Sequence, residues 1–325
     1  MESNILLFAK DLTIGYQNGE IKNILFENLD VSLKPGELVC FMGPNGVGKS
    51  TLIRTLAGLH PPLIPHFRGE ESVSGKGADP QKISVVLTDK VSAVNMTVEE
   101  LVTYGRYPYL DWNIKLSKAD SDIIEKAIEF TRIQPLVSKK LFELSDGQLQ
   151  MAMIARALAQ DTPVILLDEP TAHLDLNNRV EIMNLLRRLS RTEGKAILVA
   201  THELDLALQT ADVVWLATRD KKVLTGLPED LVLNGSFDSV FQFKGFDLKT
   251  GKVSHETFRN ISVNLIGEGH QYLWTKNALE RCGYEISQKS DHTITISEKE
   301  NKVRWNMQNQ SFATIHELLS TLSKK

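Results

Sequence analysis

The sequence predicts an α/β protein: a mostly parallel sheet covered by helices, followed by a smaller α+β domain. Three observations predict it. Short apolar runs such as Val164–Leu167 and Ala196–Ala200 alternate with helical patterns, as parallel strands joined by helical crossovers do. The run Leu38–Met42 is apolar without alternation, which suits a strand buried on both faces. The chain has 325 residues, enough to favour more than one folding unit, and the first pattern stops near Gly235.

The elements follow in order. From Ile5 to Leu33 apolar and polar residues alternate in two stretches around a Gly15-Tyr16 turn, predicting antiparallel strands. Pro35-Gly36 is a turn, and Leu38–Met42 then feeds a glycine-rich loop. After Thr51, residues Leu52, Ile53, Leu56 and Ala57 recur at helical spacing, closed by Gly58. His60 to Gly77 is rich in Pro and Gly and predicts loop and edge structure. Ile83 to Leu87 reads as a strand. Thr97-Val98-Glu99-Glu100 fits a capping box that opens a helix. Ser117 to Arg132 reads as a helix, and Leu149 to Ala159 is apolar almost all round, as a buried helix is. A helix from Leu176 to Arg191 separates the two apolar strands. The tail reads as strand Ile261–Ile266, helix Gln271–Arg281, and strands near Tyr284–Ser287, Thr293–Ser297 and Lys302–Met307. Ser311 is placed to cap a last helix carrying Phe312, Ile315, Leu318 and Leu322 on one face.

Bulk properties exclude several classes. Hydrophobic residues make up 42%, ordinary for a soluble globular chain. A formal net charge of −4 argues against a general nucleic-acid binder. The two cysteines, Cys40 and Cys282, form no disulfide framework and suit a reducing compartment. No apolar run is long enough to span a bilayer, and the acidic start is unlike a secretory signal. A membrane role therefore calls for another chain to hold this one in place.

Two separated segments carry the chemistry. Gly43-Pro44-Asn45-Gly46-Val47-Gly48-Lys49-Ser50-Thr51 fits the G-x-x-x-x-G-K-[ST] phosphate loop. Its glycines let backbone N–H groups turn inward on an anion, and the helix that follows adds its positive end. Further on, Leu144-Ser145-Asp146-Gly147-Gln148 precedes the apolar strand that ends in Asp168-Glu169. The pair resembles the phosphate loop and the Leu-Ser-Gly-Gly-Gln signature of the ATPase subunits of ABC transporters. That resemblance implies an ABC-type P-loop ATPase: a RecA-like core sheet, an antiparallel β subdomain and a helical signature subdomain over about residues 1–240. A small α+β extension of unassigned role would fill 241–325.

The resemblance also implies roles. Lys49 would reach the β- and γ-phosphates of ATP, and Thr51 the α-phosphate. Ser50 and Asp168 would hold Mg²⁺. Glu169 would be the general base and His202, in Ala-Thr-His-Glu, the switch histidine. Tyr16 would stack on adenine; a core-facing strand tyrosine is the other reading. A helix beginning near Ser145-Asp146-Gly147 would present its N-terminus to the ATP of a second copy, with Ser145 and Gly147 as direct contacts and Gln148 supporting them, and Asp175 would lie in the loop crossing that homodimer interface. Two positions depart from the family. Asp146 stands where glycine is common. In Val85-Val86-Leu87-Thr88-Asp89-Lys90 the usual glutamine is missing, and Thr88, with Asp89 as the second choice, would supply its magnesium ligand.

Glu100-Leu101-Val102-Thr103-Tyr104-Gly105-Arg106-Tyr107-Pro108-Tyr109 resembles the Val-x-x-Gly-Arg-x-Pro segment of cassettes that energise uptake of iron–siderophore, haem and cobalamin. Trp112 and the helix start at Ser117 fit that group too. In it, this region helps form the groove for a permease helix; Arg106 and Tyr107 would contact that helix or pack the helical subdomain. The implied partners are a second cassette, transmembrane permease subunits and, indirectly, an extracytoplasmic binding protein, with no nucleic acid. The implied location is the cytoplasmic face of the inner membrane. The alternative is a soluble ABC switch acting on a ribosome or chromosome; such proteins usually carry two cassettes or a coiled-coil insertion. A small-molecule kinase leaves Ser145–Gln148 unexplained. His255, His270 and His292 lack the paired spacing of a metal site.

Overall fold

The structure, a computed structural model, describes residues 5–63, 79–88, 95–249, 251–253, 257–290, 292–299 and 302–322. The chain divides into two compact units, Met1–Gln242 and Phe243–Lys325. Asp89, His255 and most of the expected loop between His60 and Gly77 lie outside the described residues.

The first unit opens with an antiparallel ribbon, β1 (Leu7–Asn18) against β2 (Ile21–Leu33). The expected Gly15-Tyr16 turn is not there: both residues lie inside β1, opposite Ile24 and Asn23. The chain reverses instead at Gly19, whose φ of 60° suits glycine. Gly15 is required for another reason. A Cβ there would sit 2.1 Å from the Asn23 carbonyl oxygen, at a slip in register. Glycine inside a strand marks such a close approach as often as a turn.

A six-stranded sheet forms the core. Its strands are β3 (Leu38–Met42), β4 (Ile83–Val86), β5 (Val164–Asp168), β6 (Ala196–Ala200), β7 (Val213–Ala217) and β8 (Val223–Gly226), in the order β4-β5-β6-β3-β7-β8. All neighbours run parallel except β7 and β8. Every residue of β3, β5 and β6 is buried, which explains their unbroken apolar runs. Parallel pairing sends the carboxyl ends of these three adjacent strands to one edge. That edge carries the chemistry.

The helices of this unit are α1 (Lys49–Leu56), α2 (Val98–Thr103), α3 (Lys118–Thr131), α4 (Asp146–Ala159), α5 (Leu176–Glu193), α6 (Leu204–Thr210), α7 (Pro228–Leu233) and α8 (Ser236–Phe241). Thr97 and Ser117 close capping boxes on α2 and α3 with Glu100 and Asp120. Helix α4 begins at Asp146, at the start expected near Ser145-Asp146-Gly147, and Ser145 caps it through Gln148. Arg106 is buried: it donates to Asp120 at 2.9 Å and to the Ala159 carbonyl at 3.0 Å, and lies 4.0 Å over the Tyr109 ring. It therefore packs α3 and α4 together, the second of its two expected roles. Tyr107 is half exposed and stacks on Tyr104 at 4.6 Å.

The second unit holds a short ribbon, β9 (Phe246–Asp247) with β10 (Lys252–Val253), and a five-stranded sheet. The sheet comprises β11 (Ser262–Ile266), β12 (Glu285–Ile286), β13 (Thr293–Lys299), β14 (Lys302–Met307) and β15 (Gln310–Phe312), in the order β12-β11-β13-β14-β15. Helices α9 (Gly269–Arg281) and α10 (Ile315–Leu322) complete it. Val263, Leu265, Leu279, Tyr284, Ile294, Trp305, Met307, Phe312, Leu318 and Leu322 form its core. Ser311 does not cap the last helix; it lies in β15, paired with Asn306. Thr314 takes that place, its hydroxyl accepting from the Glu317 N–H at 3.2 Å. Phe312 reaches the core from the strand, and Leu318 and Leu322 from the helix. Among the described residues, no helix is long and apolar enough to cross a membrane.

Candidate nucleotide site

The glycine-rich loop leaves β3 at Gly43 and enters α1 at Lys49. A Cβ at Gly43 would meet the Ala217 Cβ at 2.7 Å, so the loop is pressed against β7. Gly46 has φ 75° with nothing within 4 Å of where a Cβ would stand. Gly48 caps α1 in a left-handed conformation, φ 111°, with no side-chain cap bond and no acidic residue in the first turn. The first N–H groups of α1 are thus left for an anion, and a bulkier residue at Gly48 would strike Leu25 at 3.0 Å. Lys49 is buried, and its Nζ donates to the carbonyls of Gly43 at 3.0 Å and Pro44 at 3.4 Å. Burial pushes the pKa of this ammonium down, while Glu169 and Asp168 oppose the shift. A cation held by neutral carbonyls beside two carboxylates is poised to take an anion as its partner.

Ser50 and Asp168 meet although 118 residues separate them: the serine hydroxyl donates to Asp168 Oδ1 at 3.0 Å. Both are hard oxygen donors of the kind magnesium takes, and Asp168 is buried at the end of β5. A cleft of ≈ 350 Å³ opens beside them, lined in part by Thr88, Asp146, Asp168, Glu169 and His173. Thr88 is exposed and lines the same cleft as Asp168 and Glu169. Among the described residues no group of three or more His, Cys, Asp or Glu forms a metal site. Magnesium held by one carboxylate, one hydroxyl and substrate phosphates needs no such cage.

Glu169 has a left-handed backbone, φ 50°, and its N–H donates to the Ala200 carbonyl at 2.9 Å. A non-glycine residue there costs about 1–2 kcal/mol, and such strain gathers at functional sites. His202, just beyond β6, sets Nδ1 2.7 Å from Glu169 Oε2, so an Nδ1–H donates to the carboxylate and fixes its direction. Tyr16 is 51% exposed, which removes the core-facing reading. Its hydroxyl lies 2.9 Å from Thr51 Oγ1, and its ring stands 5.0 Å from that of His60. This aromatic face sits beside the start of α1, where a base could lie against it.

The signature segment borders the same cleft through Asp146. Ser145 and Gln148 satisfy each other in the capping box, which fixes the tip of α4. A Cβ at Gly147 would fall 2.9 Å from Asn178. Asn178 is held in turn by Asp175, which caps α5 and accepts from both its backbone N–H (2.9 Å) and its side-chain amide (2.8 Å). Asp175 thus supports the signature glycine through one intermediary. Sequence reading missed three residues here. Asn178 and His60 carry no motif; Arg179, which donates to the Leu174 carbonyl at 2.6 Å and to Glu203 at 2.9 Å, shows only as a helical cation.

A glycine loop between a buried strand and a helix, a pinned lysine and a strand-end carboxylate define a nucleoside-triphosphate-binding protein of the P-loop class. Family comparison narrows this. The family described as ABC transporter matches residues 26–172, and that described as iron ABC transporter C-terminal domain matches residues 260–323. The ferric enterobactin transport ATP-binding protein of Escherichia coli is 34% identical over 241 residues, 71% of this chain and 85% of that protein. A metal-chelate type ABC transporter solved in an inward-facing conformation superposes with TM-score 0.64 at 26% identity, over 74% of this chain and 90% of that one. The MJ0796 cassette, solved as a dimer after hydrolysis with ADP and Pi, gives TM-score 0.57 at 27% identity, over 68% and 98%. The chain belongs to the ATP-binding subunits of ABC transporters.

Proposed function

We propose that this chain hydrolyses ATP to energise a membrane importer for iron–siderophore, haem or cobalamin complexes. One observation carries the reading: three adjacent parallel strands end in a phosphate loop, a Ser50–Asp168 contact and a Glu169–His202 pair at a single edge. Lys49 and the α1 N-terminus bind the phosphates. Ser50 and Asp168 would hold Mg²⁺, whose charge would offset that of the phosphates, and Thr88 would add an oxygen ligand. Glu169 takes the proton of the attacking water, with His202 holding the carboxylate in line. Tyr16 meets the adenine.

Two copies clamp two nucleotides, each against Ser145 and Gly147 of the other; the dimeric ADP-bound relative supports this. The permease helix docks in a groove of ≈ 570 Å³ lined in part by Leu87, Tyr104, Tyr107 and Met153. The complex works at the cytoplasmic face of the inner membrane, fed by a binding protein outside. The iron-family match of the second unit and the ferric-chelate relative favour the importer over a ribosomal or chromosomal switch. The test is uptake of ferric chelates, haem and cobalamin by the complex reconstituted in vesicles. ATP-dependent accumulation of one of them, lost in Glu169→Gln, is the expected result. ATPase activity that none of them stimulates, with ribosomes or DNA co-purifying, would overturn it.

A further inference from the structure

Among the described residues, strand β4 is an edge strand: it pairs with β5 on one side and with no strand on the other. Its outward carbonyls are taken by α4 and its C-cap residue Gln160. Arg156 Nη2 donates to the Val85 carbonyl at 2.8 Å, and Gln160 Nε2 donates to the Ile83 carbonyl at 3.1 Å and to the Pro80 carbonyl at 2.6 Å. The spacings match. Carbonyls two residues apart on one strand edge are about 6.6 Å apart, and side chains four residues apart on a helix rise about 6 Å. Helix α4 therefore lies along the strand edge and grips it at two points.

Stability alone accounts poorly for the Arg156 contact. Among the described residues, Arg156 Nε is buried with no hydrogen-bond partner, and the guanidinium donates to one neutral carbonyl. Its place explains it better. Arg156 lies on the helix whose tip is Ser145–Gln148. Val85 lies three residues before Thr88, which lines the cleft with Asp168 and Glu169. We infer that Arg156 is a positioning residue: it ties the signature helix to the Thr88 strand end, so a shift of α4 moves Thr88 relative to the two carboxylates. Gln160 is the second, weaker point of the same tie. Nucleotide held at the signature tip is thereby linked to geometry at the magnesium side of the site. The inference rests on the proposed ATPase reading.

The test compares ATP hydrolysis and Mg-ATP affinity of the full chain with those of Arg156→Met, Arg156→Lys and Gln160→Leu, all normalised to folded protein. Arg156→Met keeps the apolar stem and loses the donor; Arg156→Lys keeps a donor. Misplacement of this kind is expected to lower kcat about tenfold in Arg156→Met with Mg-ATP affinity unchanged. Arg156→Lys should restore at least about half of the parental kcat, and Gln160→Leu should lose about threefold. Parental kcat in Arg156→Met, or affinity falling in step with kcat, would overturn the inference. If Arg156→Met does not fold, Gln160→Leu decides: parental kcat there overturns it. A parent chain that hydrolyses no ATP would instead sink the functional reading, and so is distinguishable.

Discussion

The two units bury their sheets differently, and their chemistry differs accordingly. In the first, β3, β5 and β6 are buried along their whole length, so functional side chains can stand only where the strands end. In the second, β14 alternates: Trp305 and Met307 enter the core, while Lys302 and Arg304 face solvent. A sheet covered on both faces gathers its loops at one edge and makes a site there. A mixed parallel and antiparallel sheet covered on one face leaves a polar surface instead, here Asn264, Thr295, Ser297 and Asn306. Hydrolysis therefore belongs to the first unit.

The sharpest way to break this division is at the strand ends. Lys49→Ala removes the cation at the loop, and ATP hydrolysis is expected to fall by at least about 10²–10³-fold. A phosphate-release assay showing less than a fivefold loss would move the chemistry elsewhere. Glu169→Gln should lower kcat by about 10²–10⁴-fold while ATP still binds; equilibrium binding of a fluorescent ATP analogue separates the two effects. Leu279→Ala empties a fully buried position of the second unit and should destabilise that unit by about 2–5 kcal/mol. ATP affinity should not change, and calorimetry should show one transition moved and one in place. A loss of nucleotide binding would mean that the units do not act separately.

The smallest effect concerns Cys40. Burial, and next Asp212, pushes its thiol up from 9.0 to about 12. The neutral thiol is the form the fold keeps. Its contribution is fully present below pH 9 and declines as pH rises through about 12, because the unfolded chain ionises first. Iodoacetamide at pH 8 should therefore modify Cys282, which is half-buried, and leave Cys40 intact until the chain unfolds. Mass spectrometry of the labelled peptides reads this directly.

Much of the first unit was legible because its strands announce themselves as unbroken apolar runs and its helices as caps. Thr97 forms the capping box its spacing suggests, and Ser117 and Ser145 cap the helices expected after them. The phosphate loop was legible because glycine, lysine and serine at fixed spacing serve one purpose. What escaped depends on distance in space. Gly15 resembles a turn glycine until the Asn23 carbonyl is seen pressed against it. Asn18-Gly19 held the better hairpin signal. Ser311 has the chemistry of a cap, yet pairing with β14 makes a strand of it. Arg156 and Asn178 act through partners dozens of residues away, which no local pattern reveals.

The claim that a nucleotide joins two copies is tested most directly by light scattering on Glu169→Gln with and without Mg-ATP. The account predicts that the molar mass doubles from 36.4 kDa when Mg-ATP is added, and that Ser145→Arg abolishes the doubling while ATP still binds. A nucleotide-loaded Glu169→Gln chain that stays at the mass of one copy at every concentration tested would contradict it.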